Sequence, residues 1–303
     1  MKIFVTGGTG YIGSHTVVEL QKNGYDVIIA DNLVNSSMDV LDGIEKISGI
    51  RPEFEEIDLT DGEVTRDFFA RHSDIRAVIH FAALKAVGES VSKPLEYYFN
   101  NLNSLMNVLT CMREFKVPNL VFSSSCTVYG QADVLPVTEK TPRHEAESPY
   151  GNTKVMSEDI IRDLMRVEPD MKALALRYFN PIGAHPTAFI GELPNGVPNN
   201  LIPYLTQTAI GIREQLSVFG DDYNTPDGSP LRDYIDVVDL AQAHVVAIRR
   251  LLDGKNKKNY EFFNIGTGKA LSVLEIIHAF ERATGVKVNY KVVGRRAGDI
   301  EKV

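Results

Sequence analysis

The segment SPYGNTK, residues 148–154, sets a tyrosine four positions before a lysine. Pro149 suits the first turn of a helix, where its missing N–H is not needed. In such a helix Tyr150 and Lys154 lie on one face. A phenol with a pKa of about 10 is a poor base at neutral pH, but a neighbouring ammonium favours the phenolate. The pair can therefore take the proton of an alcohol while hydride leaves the alcohol carbon. That chemistry also needs a hydroxyl to place the substrate oxygen. The apolar run NLVFSSS (119–125) offers Ser123, Ser124 and Ser125 at its carboxyl end, where ligands of open α/β sheets bind.

A departing hydride needs an acceptor. The first strand candidate runs into Gly7-Gly8-Thr9-Gly10-Tyr11-Ile12-Gly13, a Gly-x-x-Gly-x-x-Gly variant of the dinucleotide fingerprint. Glycines allow the tight turn and let backbone N–H groups approach a pyrophosphate, and the following helix N-terminus favours that anion. The second strand candidate ends at Asp31, where an acidic residue would bond the adenosine ribose hydroxyls and repel a 2′-phosphate. The cofactor expected is NAD rather than NADP. Asp58 closes the third strand candidate and is placed to meet the adenine ring.

Six apolar runs supply the strands that would carry these groups: 2–6, 26–30, 52–57, 77–83, 119–125 and 173–179. Helix candidates lie between them near 11–23, 39–47, 61–72, 94–116 and 150–168. Unalternating apolar strands separated by helices predict a parallel sheet covered on both faces, an α/β Rossmann-type doubly wound fold. Past residue 180 the chain becomes rich in proline and glycine, with helices expected near 201–213, 237–252 and 272–284. The division read is a dinucleotide domain over 1–180 and a smaller α/β substrate domain over 181–303.

The formal net charge of −8 argues against a nucleic-acid surface. Apolar runs are far shorter than a membrane span, and the N-terminus lacks the apolar core of a signal peptide. Two cysteines make no disulfide framework, so a cytoplasmic location is expected. No Cys/His spacing suggests a metal, and His80, in a strand-like run, reads as structural.

The stretches GGTGYIG, DNL, HFAALKAVGES, FSSSCTVYG, SPYGNTK, RYFNPIGAHP, PNNLIPY, SVFG, RDYIDVVDLA, FNIGTG and RRAGD together resemble the UDP-glucose 4-epimerase family of extended short-chain dehydrogenase/reductases, along essentially the whole chain. The resemblance implies a bound NAD that takes hydride from C4 of a UDP-hexose and returns it to the opposite face of a 4-keto intermediate, interconverting UDP-glucose and UDP-galactose. It implies Tyr150 as base, Lys154 as the group that lowers its pKa and touches the nicotinamide ribose, and Ser125 as the hydroxyl on the 4-oxygen. Family positions for NAD fall on Gly7, Gly10, Tyr11, Ile12, Gly13, Asp31, Asn32, Asp58, Leu59, Phe81, Ala82, Ala83, Lys85, Asn100 and Phe179. Those for UDP-sugar fall on Asn180, Asn200, Leu201, Phe219, Arg232, Arg296, Asp299 and Val303, the arginines suiting a diphosphate. Valine at 303, where a tyrosine would crowd the sugar 2-position, implies room for N-acetylated sugars. The resemblance also implies a homodimer through helices 94–116 and 150–168. Leu105, Met106, Leu109 and Met112 make an apolar stripe on the first of these, a pattern that more often faces a core. Relatives continue past RRAGDIEKV, so a missing C-terminal segment is expected.

Rival readings are a nucleotide-sugar dehydratase, a net dehydrogenase and a non-enzymatic NAD-binding protein. Dehydratases of this type carry Asp-Glu after the strand-end hydroxyl, where this chain has Cys126-Thr127. Trapped NAD would separate an epimerase from a dehydrogenase. A silent binding protein has little reason to keep Ser125, Tyr150 and Lys154 together.

Overall fold

The computed structural model describes residues 1–295 and 301–302. The chain begins β1 (Lys2–Thr6), α1 (Tyr11–Lys22), β2 (Asp26–Asp31), α2 (Asp39–Ser48), β3 (Glu53–Glu56), α3 (Gly62–Arg71) and β4 (Ile75–His80). It continues with α4 (Val87–Ser92), α5 (Pro94–Glu114), β5 (Asn119–Ser125), α6 (Pro149–Val167), β6 (Lys172–Tyr178) and β7 (Asn180–Ile182). Then come α7 (Leu201–Ala209), β8 (Leu216–Phe219), β9 (Leu231–Asp236), α8 (Val237–Leu252), β10 (Tyr260–Ile265), β11 (Ala270–Ser272), α9 (Val273–Thr284) and β12 (Tyr290–Val293).

Seven strands form one sheet in the order β10-β6-β5-β4-β1-β2-β3, and every pairing in it is parallel. Successive side chains of each strand feed opposite cores, as the strand period requires. Ile3, Val5, Ile29, Ile79 and Val121 pack under α1, α2 and α8. Phe4, Ile28, Val78, Leu120 and Phe122 pack under α3, α5 and α6. This two-sided burial explains the continuous apolar runs. Strand order reverses between β1 and β4, which opens a crevice beyond their carboxyl ends.

The strand expected over 77–83 ends at His80, and Phe81-Ala82-Ala83 form a turn that faces the crevice. After residue 180 the chain returns to the sheet. β10 pairs with β6, Tyr260 opposite Ala173, and α8 residues Leu240, Val245, Ile248 and Leu251 join the core shared with α1. The remaining elements make a three-stranded sheet β11-β9-β7 and a β12-β8 pair. They surround a small core of Leu205, Leu216, Val218, Ile277 and Val288.

Leu105, Leu109 and Met112 are interior residues, whereas Met106 is exposed. His80 is buried and its Nδ1 bonds Thr6 Oγ1 at 3.0 Å. Among the described residues no cluster suits a metal ion, and no helix is long and apolar enough to cross a membrane.

Candidate active site

A cleft of about 630 Å³ lies across the switch point, walled by the glycine loop, the ends of β2, β4, β5 and β6, and the start of α6. Gly7 takes φ +67°, and a Cβ on it would stand 2.8 Å from Ala82 N. A Cβ on Gly13 would stand 2.2 Å from Gly7 O. The glycines are therefore required by contact between loop, helix and turn. Gly10 caps α1 with no side-chain bond, so the first helical N–H groups are left to an anion. Tyr11 and Ile12 open the helix on the cleft wall. The Tyr11 hydroxyl donates to Gly183 O at 2.7 Å, tying the loop to the chain beyond β7.

Asp31 closes β2 and accepts from Leu33 N at 3.0 Å and Thr9 N at 3.3 Å. These bonds hold the carboxylate at the mouth of the loop. Asn32, Asp58 and Leu59 line the same end, and Asp58 Oδ1 accepts from Thr60 N at 2.9 Å. Phe81, Ala82, Ala83, Lys85 and Asn100 line the central wall, with Phe179 beside them. The turn is pinned from below: Ala82 N donates to Thr6 Oγ1 at 3.2 Å.

Ser148 caps α6 by accepting from Gly151 N at 3.1 Å, with Pro149 in the first turn. That start places Tyr150 on the cleft wall and Lys154 one turn deeper. Lys154 Nζ donates to Ser123 O at 2.7 Å and lies 5.8 Å from the Tyr150 ring centre. Burial drives Lys154 from 10.5 down to about 8, with Glu158 opposing. Burial pushes the Tyr150 phenol up, with Tyr178 and Cys126 adding to it, while the Ser125 hydroxyl pulls it down. A base at this position therefore needs positive charge in the cleft.

The three serines at the end of β5 are separated by strand alternation. Ser123 shares a short hydrogen bond with Tyr178 OH. Ser124 points to the other face and donates to Glu158 Oε1 at 2.6 Å. Ser125 sits on the cleft wall, its Oγ accepting from Thr127 N at 3.2 Å.

Asn180, Asn200 and Arg232 line the far side of the cleft. Leu201 begins α7 and Phe219 ends β8; neither is on the cleft wall. Arg296, Asp299 and Val303 lie outside the described residues. Sequence reasoning missed Glu192, which bonds both Asn200 (2.5 Å) and Lys85 (3.3 Å) across the cleft. It also missed Asn101, buried under the 84–86 turn, which bonds Leu84 N at 2.8 Å and Thr153 Oγ1 at 3.1 Å. Neither residue sits in a motif with a mechanism, so no local signal marked them.

Crevice, glycine loop and Ser-Tyr-Lys cluster define a nucleotide-dependent hydride-transfer protein of the Rossmann type. The chain belongs to the NAD dependent epimerase/dehydratase family, whose pattern it matches over residues 3–266. It is 51% identical over 300 residues to UDP-glucose 4-epimerase of Bacillus subtilis, covering 99% of this chain and 87% of that one. It is 50% identical to the UDP-glucose 4-epimerase of Mus musculus, with the same coverage. The crystal structure of UDP-glucose 4-epimerase from Bifidobacterium longum in complex with NAD+ and UDP superposes with a TM-score of 0.95 at 46% identity, covering 100% of this chain and 89% of that one.

Proposed function

We infer that this chain interconverts UDP-glucose and UDP-galactose by inverting C4 of the hexose, with NAD as its resident cofactor. The observation that carries the reading is that Ser125, Tyr150 and Lys154 meet in one cleft with an intact glycine cradle. The residues present fit NAD. Gly7 and Gly13 leave no room for a Cβ between loop, turn and helix, the α1 N-terminus has no side-chain cap, and Asp31 is held at the mouth of the loop. When bound, the nicotinamide ring supplies a hydride acceptor and, oxidised, a positive charge.

The rest falls to the protein. Ser125 holds the 4-oxygen by hydrogen bond. Tyr150 takes its proton, and the Lys154 cation favours the phenolate. Asn180, Asn200 and Arg232 bind the nucleotide diphosphate side, Arg232 by forked donation. Leu201 and Phe219, with Arg296, Asp299 and Val303, are assigned to the same sugar-nucleotide end, and the small Val303 to tolerance of N-acetylated sugars. Cys126 and Thr127 follow Ser125, and burial lifts the Cys126 thiol to about 11. That pair offers no carboxylate for loss of water, which favours epimerisation over dehydration.

The reading includes a homodimer, supported by exposed Leu95, Phe99 and Met106 on α5 and Met156 on α6. It also includes action in the cytoplasm, supported by two free, buried cysteines. The test is to incubate purified protein with UDP-galactose and no added NAD. UDP-glucose should accumulate to equilibrium. Stoichiometric NADH, or a product short of one water, would overturn the reading in favour of a dehydrogenase or dehydratase.

A further inference from the structure

Behind the catalytic face of β5 lies a buried charge network that the chemistry above does not use. Glu158, on α6 one turn past Lys154, is 1% exposed. It accepts from Ser124 Oγ at 2.6 Å and from Arg177 Nε at 2.8 Å, and Arg177 Nη2 lies 2.5 Å from its second oxygen. Arg177, on β6, is 4% exposed and also donates to Tyr129 OH at 3.0 Å. Replacing a buried ion pair by apolar side chains is often neutral or stabilising. Stability alone therefore gives no reason for this pair to stand in the middle of the fold.

Its position does give one. The end of β5 is stitched to α6 at two adjacent residues. Lys154 Nζ holds Ser123 O, and Glu158 holds Ser124 Oγ. The next residue is Ser125, and one turn back on α6 is Tyr150. The two stitches therefore set how the hydroxyl of Ser125 stands against the phenol of Tyr150. Glu158 also brings a negative charge within one helical turn of Lys154.

We propose that Glu158, locked by Arg177 and Ser124, is the positioning residue of the active site: it registers α6 against the end of β5 and sets a negative charge one helical turn from Lys154. The inference rests on the epimerase reading for what Tyr150 and Lys154 do. The charged and titratable groups around the pair are few. Lys154 is faced by Tyr150 on its own helix and by His80 on β4, which burial and Lys154 drive down to about 3. Glu158 is faced by Arg177, by Arg143, whose Nη1 lies 3.8 Å away, and by Tyr260 of β10. Glu158 is the group named as raising Lys154 against the effect of burial.

The sign of the effect follows. Removing the Glu158 charge lets burial lower Lys154 further. Fewer ammonium groups then remain near neutral pH, and the alkaline limb of turnover moves to lower pH. The experiment compares wild type with Glu158→Gln, Ser124→Ala and the double variant Glu158→Gln/Arg177→Met. The double variant removes both charges and keeps the protein foldable should the single Glu158→Gln change strand Arg177. Two quantities are read: kcat against pH, and the Lys154 ε-carbon shift against pH in 13C-lysine protein. The second needs no turnover, so it decides this inference even if the epimerase assay fails.

The expected result is a Lys154 midpoint and an alkaline kcat limb both lowered by about one pH unit in each Glu158 variant. Near pH 7.5 the protonated fraction of Lys154 then drops from about three quarters to about one quarter, so kcat should fall about threefold with KM within twofold. Ser124→Ala should lower kcat a few-fold and leave the midpoint in place. If Glu158 variants lose thermal stability or activity while the Lys154 midpoint and the alkaline limb stay where wild type has them, the role is structural and the proposal is overturned.

Discussion

Lys154 gives the sharpest separation between what the fold tolerates and what the chemistry needs. Its side chain lies inside the protein, 4% exposed, and its pKa stands at about 8 against an ordinary 10.5. At about 1.4 kcal/mol per pKa unit, that gap corresponds to about 3 kcal/mol. The sign is destabilising. Below pH 8 the group is charged both folded and unfolded, and the full burden of burying the cation is present. Between about 8 and 10.5 the folded protein releases the proton while the unfolded chain keeps it, so stability rises with pH through that window. Lys154→Met removes the burden but also the bond to Ser123 O, worth about 1 kcal/mol. The variant should therefore be more stable than wild type at pH 7 by about 2 kcal/mol, while turnover collapses. Above pH 10.5 wild-type Lys154 is neutral as well, and the ordering should reverse by about the one hydrogen bond. Urea unfolding of both proteins across pH 6–11 measures this difference and cancels the other titrating groups. A variant less stable than wild type by the same margin at every pH would refute the reasoning.

Tyr150→Phe should lower turnover by about 10²–10⁴-fold, the usual worth of a general base, and leave NAD bound, as mass analysis of the released cofactor would show. Near-normal turnover would remove the phenol from the reaction. Gly13→Ala should yield protein without cofactor, because its methyl would stand 2.2 Å from Gly7 O; full occupancy by absorbance would mean that the loop yields and is not the cradle. Cofactor released from wild type should be NAD, and mainly NADP would show that Asp31 does not read the ribose. Phe99→Asp, on the exposed apolar face of α5, should convert a dimer of twice the chain mass to monomer in sedimentation; wild type running as a monomer would end that part of the reading.

Much of the fold could be read from the sequence because its first half is local. β1, β2, β4, β5 and β6 are short apolar runs buried on both sides, while the edge strand β3, Glu53–Glu56, is charged and largely outside the core. The five helices placed by pattern lie within a few residues of α1, α2, α3, α5 and α6, whereas the short α4, Val87–Ser92, has no counterpart in that pattern. The glycine loop and the Tyr150–Lys154 pair are local too: one is a turn between a strand and a helix, the other a single helical turn. What stayed hidden depends on distant parts of the chain. β10 completes the sheet by pairing Tyr260–Ile265 with β6, yet the run YEFFNI carries no mark of which neighbour it will find. Glu192 and Asn101 look like ordinary polar residues until the fold brings Lys85, Asn200 and the 84–86 turn to them.

The serines of β5 show where the boundary between the two lies. A strand period of two means that Ser123 and Ser125 share one face and Ser124 takes the other. That much follows from NLVFSSS alone. Which face is which does not, because parity acquires meaning only from the layers outside the sheet. Val121 belongs to the core shared with α1 and α8, Leu120 and Phe122 to the core shared with α6. Ser124 is therefore turned to α6 and meets Glu158, while Ser125, last on the strand, is left at the cleft where α6 begins with Tyr150. The choice among three identical hydroxyls is made by the helix that crosses behind them. The residue that binds that helix to the strand is thus as much a determinant of the site as the hydroxyl itself.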